Sequence, residues 1–163
     1  MLEYVTEAIV LDKVDLGELD SRVYLFTRDF GKITAKIKSG RKIISKLASH
    51  TEPLNLVTIR IVDKNSPQLI DALISKKGIP GKTFFKIAAL VRDISPEGQS
   101  DRNLWELLIS LISNGAKAGD FITVLKILGF DPARAKCNNC LKGSPDFFSI
   151  KDLIFYCKTC YAG

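Results

Sequence analysis

The first half of the chain alternates polar and apolar side chains with a period of two, and this alternation recurs in five short runs. A period of two is that of a β-strand with one buried face, because successive side chains point to opposite faces. A glycine-containing turn, RDFG (28–31), separates the second run from the third and predicts a hairpin. The five runs are TEAIVLDKV, RVYLFT, KITAKIK, NLVTIRIVD and QLIDALIS. Five strands in so short a stretch favour a small closed barrel.

The connection between the third and fourth runs bears on the type of barrel. It extends from Gly40 to Pro53, which is long enough for the short helical turn that barrels of the oligonucleotide-binding (OB) kind often carry there. The pattern therefore favours a five-stranded OB-fold barrel in residues 1–78. An SH3-like barrel satisfies the same alternation and remains open.

After IPGK (79–82) the apolar residues recur at helical spacing. The segment TFFKIAALVRDI predicts a first helix, and NLWELLISLIS predicts a second helix with Asp101 as its N-cap. A third segment, GDFITVLKILGF, is apolar on nearly every side, so we expect its helix to be buried. Residues 79–135 are thus a predicted helical domain, and the predicted fold class is α+β.

All four cysteines lie in the last quarter of the chain, in the pairs CNNC (137–140) and CKTC (157–160). Each C-x₂-C pair can form a tight knuckle, and a hairpin in the sixteen residues between the pairs would bring the four sulfurs together. Four thiolates leave no coordination position for water, which predicts one structural zinc ion in a zinc ribbon at residues 136–163. A redox or disulfide pair does not explain why both pairs share the same spacing. The predicted ligands are Cys137, Cys140, Cys157 and Cys160.

A basic segment without acidic residues runs from Phe30 to Thr51. The whole chain has a net charge of +6, which favours a polyanionic partner. A cationic strand face that continues into a cationic loop can follow a phosphodiester backbone, although single exposed lysines are usually only solvated. The predicted DNA-binding residues are Lys32, Lys36, Lys38, Arg41, Lys42 and Lys46.

Three aromatic residues near this segment, Tyr24, Phe26 and Phe30, could stack on nucleic-acid bases. Tyr24 and Phe26 occupy alternate positions of the second run, and we expect them to fill the inner face of their strand. Base stacking is therefore the second interpretation of these residues.

The residues give little support to a catalytic or a membrane function. His50 is the only histidine and the thiols are assigned to metal, so a Cys/His or Ser/His hydrolase is not expected. The chain has no phosphate-binding loop of the G-x-x-x-x-G-K-[ST] type. Glu3 and Glu7 stand where a secretory signal would carry basic residues, and no apolar stretch approaches the length of a membrane span. We expect a cytoplasmic protein that is not an enzyme.

The order of barrel, helices and cysteine module resembles the RecO family of bacterial DNA repair and recombination mediators. TEAIVLDKVDLGELDSRVYLFTRDFGKITAKIKSGRK is similar to the family's opening, in which a GE-x-D turn leads to an LFT strand, a G-K turn and a basic G-x-R loop. LKILGFDPARAKCNNC is similar to the family signature LLxxLGYxPxLxxCxxC. The matching residues of the opening include Gly17, Glu18, Asp20, Leu25, Phe26, Thr27, Gly31, Lys32, Gly40 and Ser45.

The resemblance implies a protein that binds single- and double-stranded DNA and promotes annealing of complementary strands. It also implies work with RecR to load RecA onto DNA coated by single-stranded-DNA-binding protein, whose tail docks in the family's helical part. On this reading the basic residues hold phosphates, the cysteines hold zinc, and the protein is cytoplasmic and associated with the nucleoid. Family members usually continue with further helices after the ribbon, whereas this chain ends at Gly163. We therefore expect a short or C-terminally truncated member.

Two other classes of function fit the features read from the residues. One is a protein-interaction adaptor, in which the basic segment docks an acidic tail. The other is an RNA-binding factor that uses the same barrel and ribbon, and the comparison of DNA and RNA affinity would separate it from a DNA-binding protein because the 2′-OH changes the sugar contacts.

Overall fold

The computed structural model describes residues 1–38 and 46–161, with the side chain of Lys46 outside the description. The described chain forms two compact units, Met1–Lys117 and Ala118–Gly163. The three predicted domains, 1–78, 79–135 and 136–163, remain a prediction. Among the described residues no helix is long and apolar enough to span a membrane.

The first unit begins with a closed five-stranded barrel. Its strands are β1 (Leu2–Leu16), β2 (Asp20–Thr27), β3 (Gly31–Ile37), β4 (Leu56–Asp63) and β5 (Pro67–Lys76). They close in the order β1-β2-β3-β5-β4, and a short helix, α1 (Lys46–His50), precedes β4. The five strand predictions and the helical turn between the third and fourth strands are confirmed. This topology is that of the OB-fold rather than an SH3-like barrel.

The inner face of the barrel is filled by the apolar members of each alternating run, because the period of two sends them all to one side. This core consists of Ala8, Val10, Val23, Leu25, Ile33, Ala35, Ile37, Val57, Ile59, Ile61, Leu69 and Ala72. The prediction that Tyr24 and Phe26 fill the inner face is wrong, since Val23 and Leu25 hold the inward positions of β2. Phe26 is nevertheless buried, because helices cover part of the outer face.

Two helices complete the first unit. Helix α2 (Lys82–Ile94) packs against β1 and β2, and α3 (Arg102–Asn114) follows it. The side chain of Asp101 accepts a hydrogen bond from the Leu104 amide at 2.9 Å, which confirms the predicted N-cap. The connection between the helices approaches the barrel closely at Gly31, which has a φ of 65° and would place a Cβ only 1.8 Å from the carbonyl oxygen of Gln99. Glycine is required there for both reasons.

The second unit consists of α4 (Ala118–Ile127), a hairpin of β6 (Phe147–Ser149) and β7 (Ile154–Tyr156), and a short α5 (Lys158–Tyr161). The hairpin predicted between the cysteine pairs is confirmed. The expectation that the third long helix is buried on nearly every side is wrong, because only Val124 and Leu125 are buried and Ile122 is 46% exposed. Apolar side chains all round this helix exceed what so small a unit can cover.

Candidate metal centre and nucleic-acid interface

The four cysteines converge on one point. Their Sγ atoms all lie within 4.8 Å of one another, and the Sγ atoms of Cys140 and Cys157 are 3.7 Å apart. Zinc–sulfur bonds of about 2.3 Å in a tetrahedron place sulfurs about 3.8 Å apart. The cluster therefore has the dimensions of a four-thiolate zinc shell.

Two similar backbone turns present the sulfurs. The amide of Leu141 donates to the carbonyl of Cys137 at 2.9 Å, and the amide of Tyr161 donates to the carbonyl of Cys157 at 3.0 Å. In each C-x₂-C pair, the residue after the second cysteine is thus hydrogen-bonded to the first cysteine. The first turn places Leu141 at a φ of 60°, a left-handed conformation that glycine tolerates better than leucine.

The electrostatics of the cluster call for a cation. Hydrogen bonds from the backbone of Cys140 and then Cys157 lower the pKa of the Cys137 thiol to about 6. Hydrogen bonding to the neighbouring thiols, that of Cys157 first, raises the pKa of Cys160 to about 12. Four thiolates cannot share this space at neutral pH unless a positive ion lies among them. The residues fit a structural Zn²⁺ held by four protein ligands, with no open position for a substrate.

The hairpin around the cysteines has a small aromatic core. The ring centroid of Phe148 lies 5.0 Å from that of Phe130 and 4.8 Å from that of Phe155, and the Phe147 and Tyr161 rings stack at 4.6 Å. Among the residues of this unit that the structure describes, only four are buried, and two of them are Cys137 and Cys157. Because cysteines are buried in place of a wider apolar core, a metal held by them would supply much of the stability of this unit.

The second candidate site is the outer face of β2 and β3, which can be described as three rows across the strands. Row 1 is Ile9, Phe26 and Lys32; row 2 is Asp12, Tyr24 and Thr34; row 3 is Val14, Arg22, Lys36 and Gln68. Successive rows are two residues apart along β2 and β3, or about 7 Å, and a bulge in β1 places three residues between Ile9 and Asp12 in register.

Row 1 is covered by the segment that ends α2 and leads to α3. The Lys32 ammonium donates a hydrogen bond to the Arg92 carbonyl at 2.9 Å. The amide of Gly98 donates to the Lys32 carbonyl at 2.9 Å, and Phe26 beside them is 1% exposed. The charge of Lys32 therefore lies at the C-terminal end of α2, where a cation is favoured by the helix dipole.

Row 2 forms the edge of this cover. The Thr34 hydroxyl donates to a Glu97 carboxylate oxygen at 2.5 Å. The Arg92 guanidinium bonds to the carboxylate of Asp12 and lies 5.8 Å from the centroid of the Tyr24 ring. Its hydrogen bond to Asp93, followed by that to Asp12, raises the pKa of Arg92. These contacts fix the segment to the barrel with acidic groups along its rim.

Row 3 is open and basic. Arg22 and Lys36 face each other across β2 and β3 and both are exposed. Lys36 pairs with Asp20 at 2.6 Å between Nζ and Oδ2. No carboxylate among the described residues pairs with Arg22. The hairpin register set by RDFG (28–31) is the signal that could have placed Arg22 beside Lys36.

The predicted basic residues therefore separate into groups. Lys36 lies in row 3 and exposed Lys38 follows the end of β3, whereas Lys32 lies under the cover. Arg41 and Lys42 are outside the described residues, and of Lys46 only the backbone is described, at the start of α1. Their assignment to DNA remains a prediction.

Comparison with known proteins agrees with this architecture. Residues 1–74 match the family model described as "Recombination protein O N terminal", and the relatives that match extend over the remaining elements as well. The chain is therefore similar to RecO proteins over nearly all of its length. The resemblance predicted from the sequence motifs is thus supported by a family model over the barrel and by relatives that extend over the helices and the four-cysteine cluster.

The relatives share modest identity over nearly all of this chain. DNA repair protein RecO of Bacillus velezensis is 28% identical over 172 residues, which cover 95% of this chain and 68% of that protein. The RecO protein of Thermodesulfovibrio yellowstonii is 29% identical over 179 residues, or 98% and 70% of the two chains. That of Bacillus subtilis is 28% identical over 173 residues, or 95% and 68%. The names of these relatives support a role in DNA repair.

Proposed function

We propose that this protein is a DNA-binding recombination mediator and not an enzyme. It binds single- and double-stranded DNA through its barrel, promotes annealing of complementary strands, and acts with RecR to load RecA onto DNA coated by single-stranded-DNA-binding protein. The similarity to DNA repair protein RecO over nearly all of the chain supports this role. The four-cysteine cluster holds the ribbon together and takes no part in chemistry, because its ligands leave no open position.

The observation that carries the proposal is the exposed pair of Arg22 and Lys36 on an OB-fold face that leads into the basic segment. Oligonucleotides bind OB-folds on the face of strands 2 and 3 and the adjoining loops. Arg22 and Lys36 lie directly opposite each other on those strands, and Lys38 continues the charge towards residues 39–46. That next stretch of chain adds Arg41, Lys42 and Lys46 and no acid.

Asp20 modulates this surface. Its carboxylate holds the Lys36 ammonium at 2.6 Å, so a phosphate must displace it or share the ammonium. Because both side chains of the pair are partly exposed to solvent, the exchange costs little. A cationic surface that neutralises the phosphates of two strands also lowers the repulsion that opposes their pairing, which is the physical basis expected for annealing.

The test is fluorescence anisotropy of a labelled single-stranded oligonucleotide across a salt series. The variant Arg41→Ala/Lys42→Ala/Lys46→Ala removes three cations of the basic segment. Lys77→Ala/Lys82→Ala/Lys86→Ala is the matched control, because it removes the same charge from exposed positions outside the strand 2 and 3 face. We expect the first variant to flatten the log-salt slope by about 2, at about 0.7 per phosphate contact, and the control to leave the slope unchanged.

Equal slopes for the two variants would mean that net charge alone attracts DNA. Absence of binding by the wild type would leave the protein-interaction adaptor as the better proposal. Stronger binding to RNA than to DNA of the same sequence would favour the RNA-binding factor.

A further inference from the structure

The outer face of the barrel is only partly accessible, and this limits how a nucleic acid can lie on it. The cover is residues 92–100, here called the closing segment. It is fixed to β3 by the hydrogen bonds of Lys32 to the Arg92 carbonyl, of Gly98 to the Lys32 carbonyl and of Thr34 to Glu97. Because it holds the strand at two successive rows, a ligand cannot follow β3 towards Gly31.

The closing segment is also electrostatically unfavourable for a polyanion. The carboxylates of Asp12 and Asp93 bind the Arg92 guanidinium, so that its charge is neutralised locally. Glu97 adds a third carboxylate at the rim of row 2. The rim therefore repels phosphates, whereas row 3 attracts them.

Row 3 offers a track in the other direction, across the strands. It passes from Val14 on β1 through Arg22 and Lys36 to Gln68 on β5. Neighbouring strands are about 4.8 Å apart, so the row is about 14 Å long. Val14 is 37% exposed and Gln68 is half-buried at the start of its strand, so both side chains border the track.

We propose that a single strand of nucleic acid crosses the barrel along row 3, that Val14 and Gln68 are contact positions at its two ends, and that the closing segment excludes the strand from Lys32. This rests on the proposed function and specifies the ligand and its direction. A flexible single strand can follow a track one row wide. A stiff duplex reaches the same track less well, because α2, a helix about 10 Å thick, packs against β1 and β2 beside it.

The experiment measures the log-salt slope for a labelled oligothymidylate with single variants of the rows. Lys36→Gln removes a row 3 cation and should lower the slope by about 0.7, while Val14→Lys and Gln68→Lys each add one and should raise it by about 0.7. Lys32→Gln should leave the slope unchanged, because its ammonium contacts a carbonyl and not the ligand. Thr58→Lys on β4, away from the three rows, is the control for added charge.

The log-salt slope distinguishes the loss of a phosphate contact from a loss of folding stability. A variant that is only less stable still contacts the same number of phosphates, so its slope does not change. A Lys32→Gln variant that lowers the slope as much as Lys36→Gln would overturn the proposal, because the strand would then reach row 1. Gln68→Lys and Val14→Lys slopes equal to that of Thr58→Lys would also overturn it. In both cases binding persists and the proposed function stands. Wild-type protein that binds no oligonucleotide would reject both proposals.

Discussion

The barrel and the ribbon unit are stabilised in different ways. The barrel closes on itself and buries a dozen apolar side chains in one cluster. The second unit has a hairpin of two three-residue strands, half-exposed aromatic rings and two cysteines among its few buried residues. One region is held by the hydrophobic effect, whereas the other has four clustered thiols, and we expect a metal ion held by them to supply much of its stability. Perturbations should therefore affect the two regions separately.

Removal of the metal should have the largest effect. Structural zinc supplies about 10–16 kcal/mol of apparent binding free energy in small zinc-binding peptides, which is more than the few apolar contacts of the ribbon can replace. We expect Cys157→Ser, or a strong chelator, to abolish zinc binding and unfold the hairpin while the barrel remains folded. Zinc content by mass spectrometry and two-dimensional NMR would show this as loss of metal and of the dispersed ribbon resonances.

The matched control is Ser149→Ala, which changes a hairpin residue that is not a ligand. It should keep one zinc per chain. A Cys157→Ser protein with an intact ribbon spectrum would show that the aromatic rings suffice without metal.

A cavity in the barrel should have the converse effect. Ile59 is 1% exposed in the core, and Ile59→Ala should lower the free energy of unfolding of the first unit by about 2–5 kcal/mol. Urea denaturation measures this change, and zinc content should not alter. Leu73 lies on the adjacent strand but is 65% exposed, so Leu73→Ala should change stability by no more than about 0.5 kcal/mol. Equal losses from both variants would contradict the assigned core.

Lowering the pH should destabilise the second unit before the barrel, with a smaller effect than removal of the metal. The pKa of Cys137 is lowered to about 6, so its thiolate stabilises the folded unit above the ordinary thiol pKa and this contribution is lost as the pH falls through about 6. Protons also compete with zinc for the other thiolates. We expect zinc affinity to fall at least about tenfold per pH unit between pH 7 and 5, or about 1.4 kcal/mol. A colorimetric zinc indicator measures the release, and barrel circular dichroism that falls in step with it would refute the separation.

The helix cap of α3 should give the smallest effect. Asp101→Ala removes the acceptor of the Leu104 amide and should destabilise the first unit by about 1 kcal/mol. Asp101→Ser keeps a capping oxygen and should restore most of the loss. Thermal unfolding with simultaneous zinc measurement would test both points, because a cap in the first unit should leave the metal in place.

Local pattern accounts for much of this fold. The period-two runs predict all five strands, the length of the third connection predicts α1, and Asp101 predicts the start of α3, because each depends on residues close in the chain. The burial of GDFITVLKILGF was overestimated, since the sequence does not show how much surface a small unit can cover. The orientation of β2 was also predicted wrongly. Tyr24 and Phe26 were expected to fill the interior of the barrel because they are aromatic and occupy alternate positions, whereas Val23 and Leu25 point inward.

Short-range patterns were enough to predict the five strands and the convergence of the four cysteines. Alternation decides which side chains share a face of a strand, and the C-x₂-C spacing decides which sulfurs share a knuckle; both follow from short-range geometry. Which basic residues stay accessible depends on how distant segments pack against the barrel. Lys32 and Lys36 are equivalent by alternation, yet Lys32 bonds to a carbonyl sixty residues away while Lys36 remains exposed beside Arg22. What covers an outer face depends on packing between distant segments, which no local pattern records.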